Sequence, residues 1–433
     1  MQAVIMAGGK GTRLASLTKN EIPKPMVPVM GKPLLEWQLE QLKQNHIFDV
    51  IMIIGHLGNK IKEYFGDGKN WGVTIQYVEE KEPLGTAGAF YYLKPFLKES
   101  YFFLVFGDVF FEIDIARMEQ FHCSKKSIAT LFVHPNNHPF DSDLITLKPN
   151  GQIEKFDSKH NLRNYWYDNC VNAGLYIMNQ EICDYVSSPV KTDLEKDVLN
   201  VLIQNKKAVF GYRSPEYVKD VGTVERIENT INDIKKGYIH EKCLKEKQKC
   251  IFLDRDGTIN QHRGLVYQDE DFVLEECVIE AIRKINESGW LGIVVTNQPV
   301  VARGLCNIED VERIHNKLST LLGNKGVFLD DIFYCPHHPD KGYPEENPLF
   351  KIPCECRKPN TGMIQEAAKR YNIDLTQSWI VGDTTVDIQT GKNAGIKTAL
   401  VLTGEAGKDN RYPVQPDLIG TNLLDVVQKI LLA

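Results

Sequence analysis

The stretch Ile251-Phe252-Leu253-Asp254-Arg255-Asp256-Gly257-Thr258 decides the fold of the second half of this 433-residue chain. Its three apolar residues are typical of a buried strand. The carboxylates of Asp254 and Asp256 are two positions apart, so they leave the strand end on the same side. Gly257 allows the chain to turn away sharply. The pattern therefore predicts a strand that presents two acidic groups at its carboxyl end.

Similar apolar runs recur along the chain, and each is followed by an amphipathic stretch. They include residues 3–7, 50–54, 102–106, 291–296 and 379–381. This alternation predicts an α/β fold with mostly parallel sheets and with ligand sites at the carboxyl ends of strands. Residues 236–249 are polar and rich in lysine. We therefore predict two doubly wound, Rossmann-like domains, residues 1–235 and 250–433, joined by a linker at 236–249.

Length and composition limit the classes of function. A chain of 433 residues exceeds what one hydrophobic core usually covers. The net charge of −6 gives no excess of cations for a nucleic-acid surface, and no apolar run is long enough to cross a bilayer. We expect a cytoplasmic protein with small-molecule partners and with ten mostly reduced, packed cysteines. These patterns indicate no particular oligomeric state.

Three more motifs follow the 254–258 segment in a fixed order. They are Val295-Thr296-Asn297, Arg357-Lys358-Pro359 and Gly382-Asp383-Thr384-Thr385-Val386-Asp387. With the first segment, this set resembles the haloacid dehalogenase superfamily of phosphatases. The resemblance implies that Asp254 is a nucleophile and Asp256 a general acid and base, with Thr296 and Lys358 on the phosphoryl oxygens.

The same resemblance implies a Mg²⁺ site in this half. Its ligands would be Asp254, the backbone carbonyl of Asp256, and Asp383. Asp387 would support this site, or would simply be an acidic residue at a helix N-terminus.

A group of metal-type ligands lies between the second and the last motif. Cys335 and His337 are two positions apart, as are Cys354 and Cys356, which gives a Cys₃His set suited to tetrahedral zinc. Since all four positions would be filled, the zinc would be structural. His338 is an alternative to His337, and packed thiols beside a surface imidazole are the alternative to any metal.

This set narrows the resemblance to the group that contains D,D-heptose 1,7-bisphosphate phosphatase and histidinol-phosphate phosphatase. Asn297, Arg303 and Arg357 would then bind substrate. Residues 299–301, Pro-Val-Val, depart from the small, Gly-containing loop expected there, which leaves the sugar less certain than the reaction.

The first half begins with an apolar strand that runs into a glycine-rich turn, Gly8-Gly9-Lys10-Gly11-Thr12-Arg13. Such a turn is a phosphate cradle or only a tight turn. Four features follow it: Pro23-Lys24-Pro25, Pro83-Leu84-Gly85-Thr86-Ala87-Gly88, Phe106-Gly107-Asp108 and Lys219-Asp220. In this order the set resembles the sugar-1-phosphate nucleotidyltransferase family, over about the first 235 residues.

That resemblance implies a role for each motif. Gly8, Gly9, Gly11 and Thr12 would cradle phosphates, with Arg13 and Lys24 supplying positive charge. Asp108 and Asp220 would hold Mg²⁺, and Gly85, Thr86 and Gly88 would lie near the base and ribose. Glu154, Lys155 and Asn172 would face the sugar phosphate. The nearest group is the mannose- and heptose-1-phosphate guanylyltransferases, so we expect GTP as the nucleotide.

The two halves suggest consecutive reactions. A heptose bisphosphatase would leave a heptose 1-phosphate, which the nucleotidyltransferase would join to a nucleotide, giving a GDP-heptose. One alternative is a histidinol-phosphate-type phosphatase fused to a mannose- or glucose-1-phosphate nucleotidyltransferase. Another is a first half that senses nucleotide without catalysis.

Overall fold

The computed structural model describes residues 1–9, 18, 21–342 and 344–432. The chain forms two compact units. The first contains Met1–His134, Asp143–Ser158 and Val171–Lys245; the second contains Pro135–Ser142, Lys159–Cys170 and Glu246–Ala433. Two segments that lie early in the sequence thus belong to the second unit, which the predicted boundaries did not foresee.

The first unit is built on a mixed sheet whose central strand, β1, is buried along its whole length. The sheet order is β10-β9-β11-β6-β1-β4-β5, and β8 joins β11 to β12. β1 is parallel to both β4 and β6. The strands are β1 Gln2–Ala7, β2 Pro28–Val29, β3 Lys32–Pro33, β4 Asp49–Ile54, β5 Thr74–Glu79, β6 Tyr101–Phe106, β7 Val109–Glu112, β8 Ala129–His134, β9 Leu144–Leu147, β10 Ile153–Asp157, β11 Val171–Asn179, β12 Val209–Arg213 and β13 Tyr217–Asp220.

The helices of this unit cover the sheet. They are α1 Leu34–Gln44, α2 Gly58–Phe65, α3 Phe90–Leu93, α4 Ile115–Lys125, α5 Asn200–Gln204, α6 Val224–Lys235 and α7 Tyr238–Glu241, with a π-helix at Leu194–Leu199. Apolar residues of α1 and α2 pack on those of β1 and β4 in one buried cluster. Because the helices cover the faces of the sheet, ligands can reach it at the strand ends, and the predicted motifs lie there.

The predicted linker is partly ordered within the first unit. Residues 238–241 are helical, and Cys243 and Leu244 are buried. The backbone N–H of Leu244 donates to the carboxylate of Glu216 at 2.9 Å. Lys236, Lys245, Lys247 and Lys249 are exposed, whereas Lys242 is buried with Cys243 and Leu244, so the stretch is anchored at its middle.

The second unit has a parallel sheet of order β16-β15-β14-β17-β18-β19. Its strands are β14 Cys250–Leu253, β15 Leu291–Asn297, β16 Asp331–Cys335, β17 Trp379–Gly382, β18 Lys397–Val401 and β19 Leu418–Gly420; its helices are α8 Val278–Ser288, α9 Ile308–Gly323, α10 Gly362–Tyr371, α11 Thr385–Ala394 and α12 Leu423–Leu432. Both units are α/β with parallel strands, as predicted. Among the described residues, no helix is long and apolar enough to span a membrane.

Candidate functional site

The motifs of the second unit meet at the carboxyl ends of β14, β15 and β17. Asp254 follows β14, and its side chain is 12% exposed. The ammonium group of Lys358 lies 2.8 Å from Asp254 Oδ1 and 2.5 Å from Asp387 Oδ1. Burial raises the pKa of Asp254 to about 6, against the opposing pull of Lys358. A nearly buried carboxylate held beside a fixed cation suits attack on a phosphoryl group.

Asp256 is held by three side chains. Arg255 Nη2 lies 2.9 Å from both carboxylate oxygens, Asn260 Nδ2 donates to Oδ1 at 3.0 Å, and Gln298 Nε2 donates to Oδ2 at 2.8 Å. Burial opposes ionisation of Asp256, but these donors outweigh it and lower the pKa. Arg255 is itself fully buried and contacts His315 Nε2 at 3.3 Å. The orientation of Asp256 is therefore fixed before any substrate binds.

Asp383 lies beside Asp254 in an acidic cluster. Ligand atoms of Asp254, Asp383 and Asp387 lie within 4.8 Å of one another. Asp383 Oδ2 accepts from the backbone N–H of Glu405 at 2.8 Å, whereas its buried Oδ1 has no hydrogen-bond partner in the described part of the chain. Burial, with Asp254 and Asp387 nearby, raises the pKa of Asp383 to about 8. An unpartnered carboxylate oxygen among like charges fits a bound divalent cation.

Asp387 reaches this cluster from the start of α11. It lies in the first turn of α11, where Thr384 donates to Oδ2 from its hydroxyl at 2.5 Å and from its backbone N–H at 3.2 Å. Its other oxygen contacts Lys358. Asp387 thus fixes the helix end and the ammonium group together.

The other predicted phosphatase residues have contacts within the protein. The Thr296 hydroxyl accepts from Gln298 Nε2 at 3.0 Å. Asn297 clamps the backbone of Lys358, accepting from its N–H at 2.9 Å and donating to its carbonyl at 3.1 Å. Arg357 donates to the carbonyl of His337 at 3.1 Å, and Arg303 is partly buried. Asn297 therefore positions Lys358. The sequence predicted that Asn297 binds substrate and did not predict this role.

The predicted zinc ligands form a compact cluster. The sulfurs of Cys335, Cys354 and Cys356 lie 3.0 to 3.4 Å apart, and His337 Nδ1 is 3.4 Å from Cys356 Sγ and 3.7 Å from Cys335 Sγ. Tetrahedral zinc with bonds of about 2.3 Å to sulfur would set the sulfurs about 3.8 Å apart. The structure brings His337, and not His338, to the thiols, because the His338 ring faces Asp340. The donor set is that of a tetrahedral zinc site, and its sulfurs lie closer together than bound zinc would hold them.

In the first unit, Lys24 forms an ion pair with Asp108 at the end of β6. Asp220 ends β13 in register with Val109, and the N–H of Val221 donates to the Asp108 carbonyl at 2.9 Å. The two predicted magnesium ligands therefore lie near one another, with Asp108 directly before β7 and Asp220 at the end of β13, which pairs with β7. Arg226 holds Asp220 at 2.5 Å. Of the predicted phosphate cradle, Gly8 and Gly9 are described, while Gly11, Thr12 and Arg13 lie outside the described residues.

The Gly85 to Gly88 segment packs against residues 190–194. Gly85 has φ +79°, and the N–H groups of Thr86 and Ala87 both donate to the Thr192 carbonyl at 3.0 Å. A side chain at Gly85 would collide with the Thr192 backbone. The close approach of Gly85 to the Thr192 backbone is by itself a reason for glycine at this position, whether or not a ligand binds here.

The predicted sugar-phosphate residues lie on two strands. Glu154 and Lys155 are exposed on β10, and Asn172 lies on β11. Asn172 Nδ2 donates to Glu195 Oε1 at 2.5 Å and to the Tyr176 hydroxyl at 2.6 Å. Burial raises the pKa of Glu195, which Asn172 partly offsets.

Sequence reasoning missed Glu80, which directly follows β5. Its carboxylate lies beside Gly8 and Gly55 at the ends of β1 and β4, and its buried Oε1 has no hydrogen-bond partner among the described residues. Burial raises the pKa of Glu80 to about 6. The signal available in the sequence was its position directly after a strand.

Comparisons with known proteins agree with the family resemblance of each half of the chain. The family described as nucleotidyl transferase matches residues 2–237, and the HAD-hydrolase-like family matches residues 355–426. D-glycero-beta-D-manno-heptose-1,7-bisphosphate 7-phosphatase of Haemophilus ducreyi is 40% identical over 182 residues, which are 42% of this chain and 97% of the relative. D-glycero-alpha-D-manno-heptose-1,7-bisphosphate 7-phosphatase of Photorhabdus laumondii is 37% identical over 42% of this chain and 97% of its own length.

Among solved structures, HddC from Yersinia pseudotuberculosis, complexed with GMP-PN, is 23% identical. It covers 54% of this chain and 99% of its own length, with a TM-score of 0.46.

The nucleotidyl transferase match covers more than half of the 433 residues, and the phosphatase relatives are matched over nearly their whole length. The chain therefore belongs to the nucleotidyl transferase family through its first half and to the D-glycero-D-manno-heptose-1,7-bisphosphate 7-phosphatase family through its second.

Proposed function

We propose that the chain is a bifunctional enzyme of nucleotide-sugar synthesis. The second unit removes the C7 phosphate of D-glycero-D-manno-heptose 1,7-bisphosphate, and the first transfers GMP from GTP to the resulting heptose 1-phosphate, releasing pyrophosphate. The observation that carries the proposal is the buried contact of Lys358 with Asp254, beside the pre-oriented Asp256. The domain boundaries 1–235 and 250–433 and a cytoplasmic location belong to this proposal, since its ionised substrates are cytoplasmic metabolites.

The phosphatase reaction follows from these side chains in two steps. An oxygen of Asp254 attacks phosphorus while the bond from phosphorus to the C7 oxygen breaks, and Asp256 gives its proton to the departing oxygen. Because the pKa of Asp256 is lowered in the free protein, the proton that it donates is brought by the monoprotonated phosphate of the substrate. Asp256 then removes a proton from the water that attacks the aspartyl phosphate, and phosphate leaves.

Fixed charge lowers the barrier of both steps. Lys358 neutralises negative charge that develops on the phosphoryl oxygens, and its own place is set by Asn297 and Asp387. Thr296 offers a hydroxyl near the carboxyl end of β15. Asp254, Asp383 and the backbone carbonyl of Asp256 would hold Mg²⁺, which would supply further positive charge.

The Cys335, His337, Cys354 and Cys356 cluster would hold a structural zinc ion. Arg357 and Lys358 directly follow Cys356 in the chain. An ordered cluster therefore helps to place the cationic side chains of Arg357 and Lys358. All four zinc positions would be filled by protein ligands, because the zinc would take no part in the reaction.

In the nucleotidyltransferase, an oxygen of the sugar 1-phosphate attacks the α-phosphorus of the nucleotide and the bond to the β-phosphate breaks. Lys24 provides positive charge next to Asp108. Asp108 and Asp220 would hold Mg²⁺ together with the substrate phosphates, since Mg²⁺ is often bound by one or two carboxylates and by phosphate oxygens. By the family resemblance, Arg13 would add positive charge at the phosphates, and the glycine-rich turn would cradle them.

Glu80 supports guanine as the base. A carboxylate accepts hydrogen bonds, and guanine presents two adjacent donors, N1–H and the N2 amino group. Adenine and cytosine each present one donor beside a ring acceptor, and uracil presents one donor between two acceptors. Glu80 Oε1, which has no partner among the described residues, offers one acceptor that suits a guanine donor, and this is consistent with GTP.

The test offers the purified chain both anomers of D-glycero-D-manno-heptose 1,7-bisphosphate and histidinol phosphate, because relatives named for each anomer are similar to this chain. We expect phosphate release from a heptose bisphosphate at a kcat/KM far above that for histidinol phosphate. The reverse preference would support the histidinol-phosphate alternative. Release of pyrophosphate only with heptose 1-phosphate present would exclude the non-catalytic alternative.

A further inference from the structure

Two segments from the first half of the sequence fold with the phosphatase. Residues 135–142 connect β8 to β9, and residues 159–170 connect β10 to β11, yet both belong to the second compact unit. They also bind one another, since Arg163 donates to the carbonyls of Pro139 at 2.9 Å and Ser142 at 2.7 Å. We call residues 159–170 the docking segment.

The docking segment is attached to helix α9. The Tyr167 N–H donates to Thr320 Oγ1 at 2.9 Å. That hydroxyl lies 3.0 Å from the Tyr167 carbonyl and 2.8 Å from that of Asn316, so it bridges helix and segment. Thr320 is 5% exposed and Tyr167 is 7% exposed. Further along α9, a side chain at Gly323 would overlap the ring of Pro139. The contact is therefore buried and sterically close.

The docking segment is also attached to the turn Asp269–Asp271. Trp166 Nε1 donates to Asp269 Oδ2 at 3.1 Å, and the Lys317 ammonium group lies 5.4 Å from the Trp166 ring centroid. Arg313 of α9 holds the other oxygen of Asp269 at 3.1 Å. Trp166 thus joins the turn to the helix.

Both attachment points connect to the residues that orient Asp256. Helix α9 carries His315, which contacts Arg255, and Arg255 holds Asp256. The chain after the turn pairs with residues 259–261: Gln261 N–H donates to the Val273 carbonyl at 2.8 Å, and Glu275 N–H to that of Ile259 at 2.9 Å. Asn260, in the middle of this stretch, donates to Asp256.

We infer that Trp166 and Tyr167 are positioning residues of the phosphatase, although they lie within the nucleotidyltransferase sequence. The phosphatase relatives are matched over 97% of their length by 42% of this chain. In this chain the segment holds α9 and the 269–271 turn where His315 and Asn260 must lie. The inference rests on the proposed phosphatase activity.

The test uses two substitutions in the full-length chain. Trp166→Phe keeps a ring but removes the donor to Asp269, and Thr320→Val keeps the shape but removes the bridging hydroxyl. We expect each to lower kcat for phosphate release by about tenfold, since small displacements of catalytic groups cost this much or more. KM and the rate of pyrophosphate release should change little. Thr320→Ser, which keeps the hydroxyl, should restore kcat.

Leu162→Ala is the matched control, because Leu162 belongs to the same segment and is 90% exposed. Wild-type kcat in both test variants, equal losses in Thr320→Ser and Thr320→Val, or equal losses of both activities would overturn the inference. Hydrogen exchange of the Tyr167 amide tests the attachment without any activity. It should be slow in the wild type and faster in Thr320→Val, and fast exchange in the wild type would also overturn the inference. An inactive wild type with a protected Tyr167 amide would instead count against the proposed phosphatase.

Discussion

Replacing Lys358 with methionine removes the ammonium group that contacts both Asp254 and Asp387. Methionine has a similar length and leaves the site packed. The side chains of Lys358, Asp254 and Asp387 are 3%, 12% and 1% exposed. The variant therefore leaves buried carboxylates, with Asp383 nearby, without their cation.

The structure sets the size and the pH dependence of this effect. Removing one partner of a buried ion pair costs about 3–5 kcal/mol, and one ammonium group serves two carboxylates here, so we expect about 5 kcal/mol at pH 8. At lower pH one of the carboxylates takes up a proton on folding. The free energy of unfolding of the variant, relative to the wild type, then rises by about 1.4 kcal/mol for each pH unit of acidification. At pH 6 the cost should be about 2 kcal/mol.

Native-state hydrogen exchange of peptides from β14 and β17 measures the unfolding free energy of this unit separately. The samples contain no added magnesium, since a bound divalent cation would offset the missing charge. Lys392→Met is the control, because Lys392 pairs with Asp417 at 2.6 Å but its side chain is 38% exposed. An exposed pair contributes about 0–1 kcal/mol. If Lys358→Met cost no more than Lys392→Met at pH 8, or cost the same at pH 6 and pH 8, the electrostatic reasoning would be refuted.

Four other outcomes are expected. Asp254→Asn should abolish phosphate release with unchanged circular dichroism, and residual turnover near the wild-type rate would exclude an aspartyl-phosphate intermediate. Purified protein should contain one zinc per chain, which Cys356→Ser should lose together with order near Lys358, whereas a metal-free and equally stable wild type would contradict the zinc site. Asp108→Ala should eliminate pyrophosphate release and leave phosphate release intact; unchanged pyrophosphate release would refute its role. Because the pKa of Asp383 is raised to about 8, magnesium must displace a proton below that pH, so calorimetry should show affinity falling by up to about tenfold per pH unit from 8 to 6, and a flat profile would contradict this.

Much of the phosphatase site was predictable because its residues lie at strand ends. An apolar run followed by an acidic residue places Asp254 at the carboxyl end of β14, and the same logic applies to Asp383 after β17. The Cys and His spacings predicted a cluster that the structure shows, including the choice of His337.

What the sequence did not reveal depends on contacts between distant residues. Nothing in the local pattern shows that Arg255 is buried or that it reaches His315, sixty positions away. The docking of Tyr167 on Thr320 joins residues 153 positions apart, and neither has a distinctive neighbourhood in the sequence. Glu80 lacks a motif that reveals its burial, because its environment is made by the ends of β1 and β4.

One coupled assay tests the central claim most directly. Each anomer of D-glycero-D-manno-heptose 1,7-bisphosphate is offered to the full-length chain with magnesium and with each of the four nucleoside triphosphates, and the products are identified by mass spectrometry. The account predicts GDP-heptose with GTP, one phosphate and one pyrophosphate per molecule formed, and loss of all product in Asp254→Asn unless heptose 1-phosphate is supplied. Release of phosphate with no nucleotide-sugar from any triphosphate, or a nucleotide-sugar that retains the C7 phosphate, would contradict it.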